Sequence, residues 1–180
     1  QEVEKIADED FLDLLRRRVG CAVVVAGSDS DRKHVERIVE SLKSWEVPCE
    51  VRICSAHKEP LRLLEVVREY ESEGAPLAWV AVAGGTDALS GTLSFHTENP
   101  VISCPPDAPN ESCLGNPPGS SNATIYDARN VGRFIAQMYA PLNSVYRDKL
   151  ARSRQEKVEQ LQARDEELRR AYGSVNVWEA

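Results

Sequence analysis

The chain has 180 residues, with 22 Lys and Arg against 29 Asp and Glu for a formal net charge of -7, enough for one compact α/β domain with a sizeable core and a terminal extension. A surface of that sign repels nucleic acid and anionic lipid, which sets aside polyanion binding and membrane-surface roles. No apolar run is long enough to span a bilayer, and the start, with Glu2, Glu4, Asp8, Glu9 and Asp10, has no signal-peptide pattern, so the chain reads as soluble, intracellular and cytoplasmic.

Residues Gln1 to Arg18 carry Val3, Ile6, Phe11, Leu14 and Leu15 at roughly helical spacing, which predicts an amphipathic helix leading into the first strand. Cys21 to Ala26 is an unbroken apolar run rich in β-branched residues, the pattern of a parallel strand covered on both faces. At Gly27 the chain leaves that strand, and Ser28, Asp29, Ser30 and Asp31 either cap the next helix or offer hydroxyls and backbone N–H groups to an anion. Val35, Ile38, Val39 and Leu42 then recur at helical spacing over Arg32 to Trp45, and Pro48 closes the helix off.

A second strand, Glu50 to Ser55, leads through Ala56-His57-Lys58-Glu59-Pro60 into a helix over Leu61 to Glu73, with Leu64, Val67 and Arg68 in step. The third strand is Leu77 to Ala83, followed by a turn from Gly84 to Gly91. A fourth strand, Val101 to Cys104, ends at Pro105-Pro106, and Asp107 to Gly119, rich in Pro, Asn, Ser and Gly, reads as a loop. A short fifth strand, Asn122 to Tyr126, precedes a helix near Ala128 to Tyr139.

The last helix, Ser144 to Tyr172, carries 14 charges in the 24 residues from Arg147 to Arg170. Its apolar residues Leu150, Val158, Leu161 and Leu168 make too thin a stripe for a monomer core, leaving a solvated terminal helix or one that packs on a neighbouring subunit. Strands alternating with helices imply a three-layer, doubly wound parallel sheet. The expected division is a helix or linker over 1–20, an α/β domain over 21–143, and a C-terminal helix and tail over 144–180.

Cys21, Cys49, Cys54, Cys104 and Cys113 form an odd set without CxxC spacing and read as buried reduced thiols. His34, His57 and His96 are scattered, so no metal ligand set is expected. Two Asn-x-Ser/Thr triplets, at Asn110 and Asn122, are chance matches to a short pattern.

A doubly wound sheet gathers the turns after its first three strands on one rim. His57 is the one histidine that directly follows a strand at that rim, where it either exchanges protons with a ligand or is simply exposed. Lys58 beside it suits a phosphate, and Gly84-Gly85 either admits a ligand close to the backbone or makes a tight turn.

Four stretches occur together in order and spacing: Gly27-Ser28-Asp29-Ser30-Asp31, Ser55-Ala56-His57-Lys58, Ala83 to Gly91, and Pro100-Val101-Ile102-Ser103-Cys104-Pro105-Pro106. They resemble aminoimidazole ribonucleotide carboxylase, in the class II form that includes the carboxylase domain of the animal bifunctional purine enzyme, over roughly Cys21 to Tyr139. The resemblance implies a flavodoxin-like fold and a homo-octamer. It also implies carboxylation of aminoimidazole ribonucleotide by free carbon dioxide in de novo purine biosynthesis, a carbon–carbon lyase activity with no biotin, ATP or metal.

By the same resemblance His57 is the catalytic residue. Ser28 and Asp31 bind the ribonucleotide, Ser55 and Lys58 lie near its phosphate and ribose, and Gly27, Ala56 and Leu89 complete the substrate-binding set. The backbone of Ala83, Gly84, Gly85 and Thr86 holds carbon dioxide or the new carboxylate. The chain departs from the family pattern Ala-Gly-Arg-Ser-Asn in the third loop, where Gly85, Thr86 and Asp87 stand, and again at Gly115, where the family has an arginine. These departures define the alternatives: a non-catalytic paralogue serving as an oligomeric binding or scaffold subunit, or a related carboxylase or mutase acting on another nucleotide-like anion.

Overall fold

The computed structural model describes residues 7–175 and 177–178. Five strands, β1 (Cys21–Ala26), β2 (Cys49–Ile53), β3 (Leu77–Val82), β4 (Val101–Ser103) and β5 (Ala123–Thr124), form one sheet in the order β2-β1-β3-β4-β5. Every neighbouring pair is parallel. This is the flavodoxin-like strand order, in which the direction of winding reverses between β1 and β3.

β1 and β3 are central because their sequences allow nothing else: all six residues of each are buried. Side chains alternate between two cores. Cys21, Val23 and Val25 pack with Leu77, Trp79 and Ala81 on one face, beneath α1 (Glu9–Arg16), α3 (Pro60–Glu71) and α4 (Ala88–His96). Ala22, Val24 and Ala26 pack on the other, beneath α2 (Arg32–Ser44) and α5 (Val131–Tyr139). Each valine so enclosed contributes roughly 1.5–3 kcal/mol.

The N-terminal helix is shorter than its periodicity predicts, beginning where Asp8 accepts from the N–H groups of Asp10 and Phe11; the expected apolar positions Val3 and Ile6 lie outside the described residues. Phe11 meets Tyr70 edge to face at 5.9 Å, and Tyr70 meets Trp79 in the same way at 5.8 Å, which ties α1 through α3 to the sheet. The buried Trp79 indole N–H donates to Glu71 at 2.8 Å, so no polar atom of that ring is stranded. In α3 the buried face is Leu63, Val66, Val67 and Tyr70, with Leu64 half-buried and Arg68 exposed. The expected stripe was therefore displaced by about one residue.

In place of the turn expected over Gly84 to Gly91, α4 begins at Ala88 and takes in Ala88 to Gly91. Ser90, Gly91, Thr92 and Ser94 are weak helix formers without an apolar stripe, and the helix stands because Leu89 and Leu93 bury against the sheet. The 107–119 stretch is irregular, as expected. Within it the Asn110 side chain is buried and fully engaged in hydrogen bonds, in keeping with a chance triplet.

The final helix, α6 (Ser144–Tyr172), is anchored only at its start, where the buried Tyr146 hydroxyl donates to the Gly20 carbonyl at 2.7 Å and the Asn143 side chain to Val19 at 3.1 Å. Lys149 pairs with Glu46 at 2.8 Å, and Val158, Leu161 and Leu168 further along are exposed. All five cysteines are free, and burial pushes the thiols of Cys21 and Cys104 up to about 12, so neither is a thiolate at neutral pH. No helix among the described residues is long and apolar enough to cross a membrane.

Two distant segments touch where α5 begins. The Gly132 N–H donates to Ser41 Oγ at 3.0 Å, and that hydroxyl donates to the Arg129 carbonyl at 2.8 Å. A Cβ on residue 132 would run into the Ser41 carbonyl. Gly132→Ala is expected to destabilise the fold by about 1–3 kcal/mol, read as a lower urea midpoint with an unchanged slope.

Candidate active site

The carboxyl ends of β1, β2 and β3 are held level by backbone bonds that continue the sheet one residue into the loops. Gly27 N–H donates to the Val82 carbonyl at 3.0 Å and Cys54 N–H to Ala26 at 2.9 Å. The three following loops therefore leave the sheet side by side at the point where the winding reverses, the place such sheets offer to ligands.

In the first loop Ser28 is extended and its hydroxyl accepts from the Ser30 N–H at 3.2 Å, opening a 3-10 turn over Asp29–Asp31 that runs into α2. In the second loop the Ser55 carbonyl accepts from Glu59 N–H at 2.8 Å and its hydroxyl from Lys58 N–H at 3.4 Å. This closed turn keeps Ser55 and Ala56 buried and lifts His57 and Lys58 into solvent. Pro60, pre-set for the first turn of a helix, starts α3 immediately afterwards. In the third loop Asp87 caps α4, accepting from the N–H groups of Leu89 and Ser90, both at 2.9 Å.

Between the loops lies a cavity of about 280 Å³. The first loop lines it with Gly27, Ser28, Ser30 and Asp31, the second with Ser55, Ala56, His57 and Lys58, and the third with Ala83, Gly84, Thr86, Ala88 and Leu89. Of the residues singled out in the sequence, Gly85 alone does not line it. Ser30 and Ala88 line it as well; Ser30 belongs to the turn expected either to cap a helix or to meet an anion but was not among the substrate-binding residues, and Ala88 lies in the helix that the pattern did not disclose. Lys58 is the cation of the lining and Asp31 its acid. His34, by contrast, faces Cys104, with Nε2 at 3.0 Å from that carbonyl, and His96 meets Phe95 edge to face.

Of the positions that break the family pattern, Thr86 lines the cavity, while Gly85, Asp87 and Gly115 do not. Gly85 has φ +65°, and its N–H donates to Asp107 at 2.7 Å. Asp87 is buried, with one carboxylate oxygen on the α4 amides and the other accepting from the Ser103 hydroxyl at 3.1 Å. Its charge is spent on a helix N-terminus, where a carboxylate is favoured. Gly115 is also absent from the lining. Among the described residues, no three His, Cys, Asp or Glu side chains gather as a metal would require.

The family model described as AIR carboxylase matches residues 21–160. The chain belongs to that family. It is 38% identical over 147 residues to the human bifunctional phosphoribosylaminoimidazole carboxylase/phosphoribosylaminoimidazole succinocarboxamide synthetase, covering 78% of this chain and 35% of that protein. It is 33% identical over 154 residues to the phosphoribosylaminoimidazole carboxylase of Archaeoglobus fulgidus, covering 82% of this chain and 84% of that one. The crystal structure of Treponema denticola PurE superposes with a TM-score of 0.77 at 25% identity, covering 83% of this chain and 98% of the other. The chain spans about a third of the length of the mammalian bifunctional relatives it matches.

As a member of this family the chain combines an acid cap at residue 87 with a serine at 103, and the two hold α4 against β4. Asp87→Ala removes both contacts and is expected to cost about 1–2 kcal/mol. Asp87→Asn keeps an acceptor for the helix amides and should recover most of that loss, as measured by urea unfolding.

Proposed function

We propose that this chain carboxylates aminoimidazole ribonucleotide with carbon dioxide, without biotin or ATP, in de novo purine biosynthesis. The observation that carries the reading is the convergence of His57, Lys58, Ser28 and Asp31 on one cavity in a chain of this family. The aminoimidazole carbon is enamine-like. Its ring electrons form the new bond to the carbon of carbon dioxide, leaving that ring carbon bearing both a hydrogen and a carboxylate. The proton then leaves, the C–H electrons restore the aromatic ring, and the product carries the carboxylate.

His57 is the base that takes this proton and passes it to water: it lines the cavity, it is exposed, and an imidazole exchanges protons near neutral pH. Lys58, with Ser55 beside it, serves the phosphate and ribose end, and Ser28 and Asp31 hold the ribonucleotide. Gly27, Ala56 and Leu89 complete the walls. The backbone of Ala83, Gly84 and Thr86 faces the charge that grows on carbon dioxide, where N–H groups are most effective. A non-catalytic role would have followed from an anion-repelling third loop, but the Gly85, Asp87 and Gly115 positions are outside the lining. A homo-octamer and a cytoplasmic setting belong to the same proposal, and the exposed Val158, Leu161 and Leu168 of α6 support an assembled state.

Purified protein supplied with aminoimidazole ribonucleotide and bicarbonate is expected to form the carboxylated product. His57→Asn should lower kcat roughly a hundredfold to ten-thousandfold while calorimetric affinity for the ribonucleotide stays within about twofold, because only proton transfer is lost. No turnover together with no ribonucleotide binding by the unsubstituted chain would sink the proposal; turnover that survives His57→Asn would remove the histidine from its role.

Light scattering on the eluting protein tests the assembly separately. A mass of eight chains is expected, and a monomer would refute the octamer.

A further inference from the structure

We infer that Asp107 and Asn110 are positioning residues that set the shape of the third loop, and with it the backbone presented to carbon dioxide. This rests on the carboxylation reading. The Gly85 peptide is held at both ends from outside the cavity: its N–H donates to Asp107 Oδ2 at 2.7 Å, and its carbonyl accepts from Asn110 Nδ2 at 3.0 Å and from the Ser112 hydroxyl at 2.9 Å. Asn110 is the hub. It is buried, its second amide hydrogen goes to Asp107 Oδ1 at 2.8 Å, and its side-chain oxygen accepts from the Ser112 N–H at 3.0 Å. Its own carbonyl accepts from the Tyr126 hydroxyl at 2.9 Å, which fixes the segment to the chain beyond β5.

The consequence for the cavity is geometric. With Gly85 turned outward at φ +65°, its neighbours Gly84 and Thr86 both line the cavity. Glycine enters the left-handed region without strain and enters others as readily, so the hydrogen bonds to Gly85 are what select this one shape for the loop. Asp107 does so as a charged acceptor, and its hydrogen bonds to Asn110 and Gly85 hold its carboxyl below the usual carboxylate range. A carboxylate also stands close to Gly84: a Cβ there would lie 3.4 Å from Asp107 Oδ2. The Gly85 N–H is therefore already engaged by this chain's own carboxylate, and the loop addresses the reacting carbon through the peptides on either side.

Two measurements on the full chain test this, with Asp107→Ala as the main variant and Asn110→Ala as the second. Amide hydrogen exchange should be at least about tenfold faster at Gly85 and its neighbours in Asp107→Ala, from loss of a charge-assisted bond. Steady-state kinetics should show KM for carbon dioxide raised about tenfold and KM for the ribonucleotide within about twofold, a split that a purely structural role would not produce. Unchanged exchange overturns the inference, as does faster exchange with both KM values unchanged or shifted together. If the unsubstituted chain shows neither turnover nor ribonucleotide binding, the carboxylase reading falls by itself, and exchange at Gly85 alone decides whether Asp107 holds the loop.

Discussion

Everything in this molecule depends on the need to cover both faces of β1. Its six side chains are all buried, and a strand of that kind needs a strand on each edge and helices above and below. β2 and β3 supply the edges, in register from Ala22 opposite Cys49 and from Cys21 opposite Leu77. The helices follow because a parallel strand can be reached only by a crossover. Once the chain returns on opposite sides of β1, the loops after β1 and β3 must diverge, and the cavity is the gap that this divergence leaves.

The same constraint explains why chemistry concentrates in short turns rather than in the elements. The two central strands β1 and β3 carry no charged or hydroxyl side chain, so Ser28, Ser55 and Asp87 sit in the loops beyond the strands and double as local hydrogen-bonding partners. Ser28 and Asp87 each satisfy backbone amides that a starting helix leaves open. Residues that could serve a ligand are thus placed by the requirements of helix initiation.

What could be read from sequence follows the strength of the periodic signal. β1 and β3 were legible as unbroken apolar runs, α2 as a single stripe, and α6 as a charged helix; the turns of the site were legible because glycine and small polar residues follow strands. α4 was hidden because its helix is dictated by Leu89 and Leu93 packing on the sheet while its remaining residues favour other structures. The one-residue displacement in α3 arose because Leu63, Val66, Val67 and Tyr70 compete with Leu64 for the core, and only packing decides between two adjacent stripes. Asp87 could be recognised as a change of charge but not as a cap, since the helix it caps was itself hidden, and its second partner, Ser103, comes from a strand sixteen residues on. The contacts of Gly85 with Asp107, Asn110 and Ser112 were equally out of reach: irregular chain carries no period from which to read a partner.

The bond from Tyr146 to Gly20 joins the first residue of α6's buried anchor to the backbone just ahead of β1. Gly20 is at the amino edge of the sheet, whereas the cavity opens at the carboxyl edge. The attachment of the long helix and the entry into the sheet are therefore at the opposite pole from the chemistry. A body gripping the molecule there would leave the approach of small molecules to the cavity unobstructed.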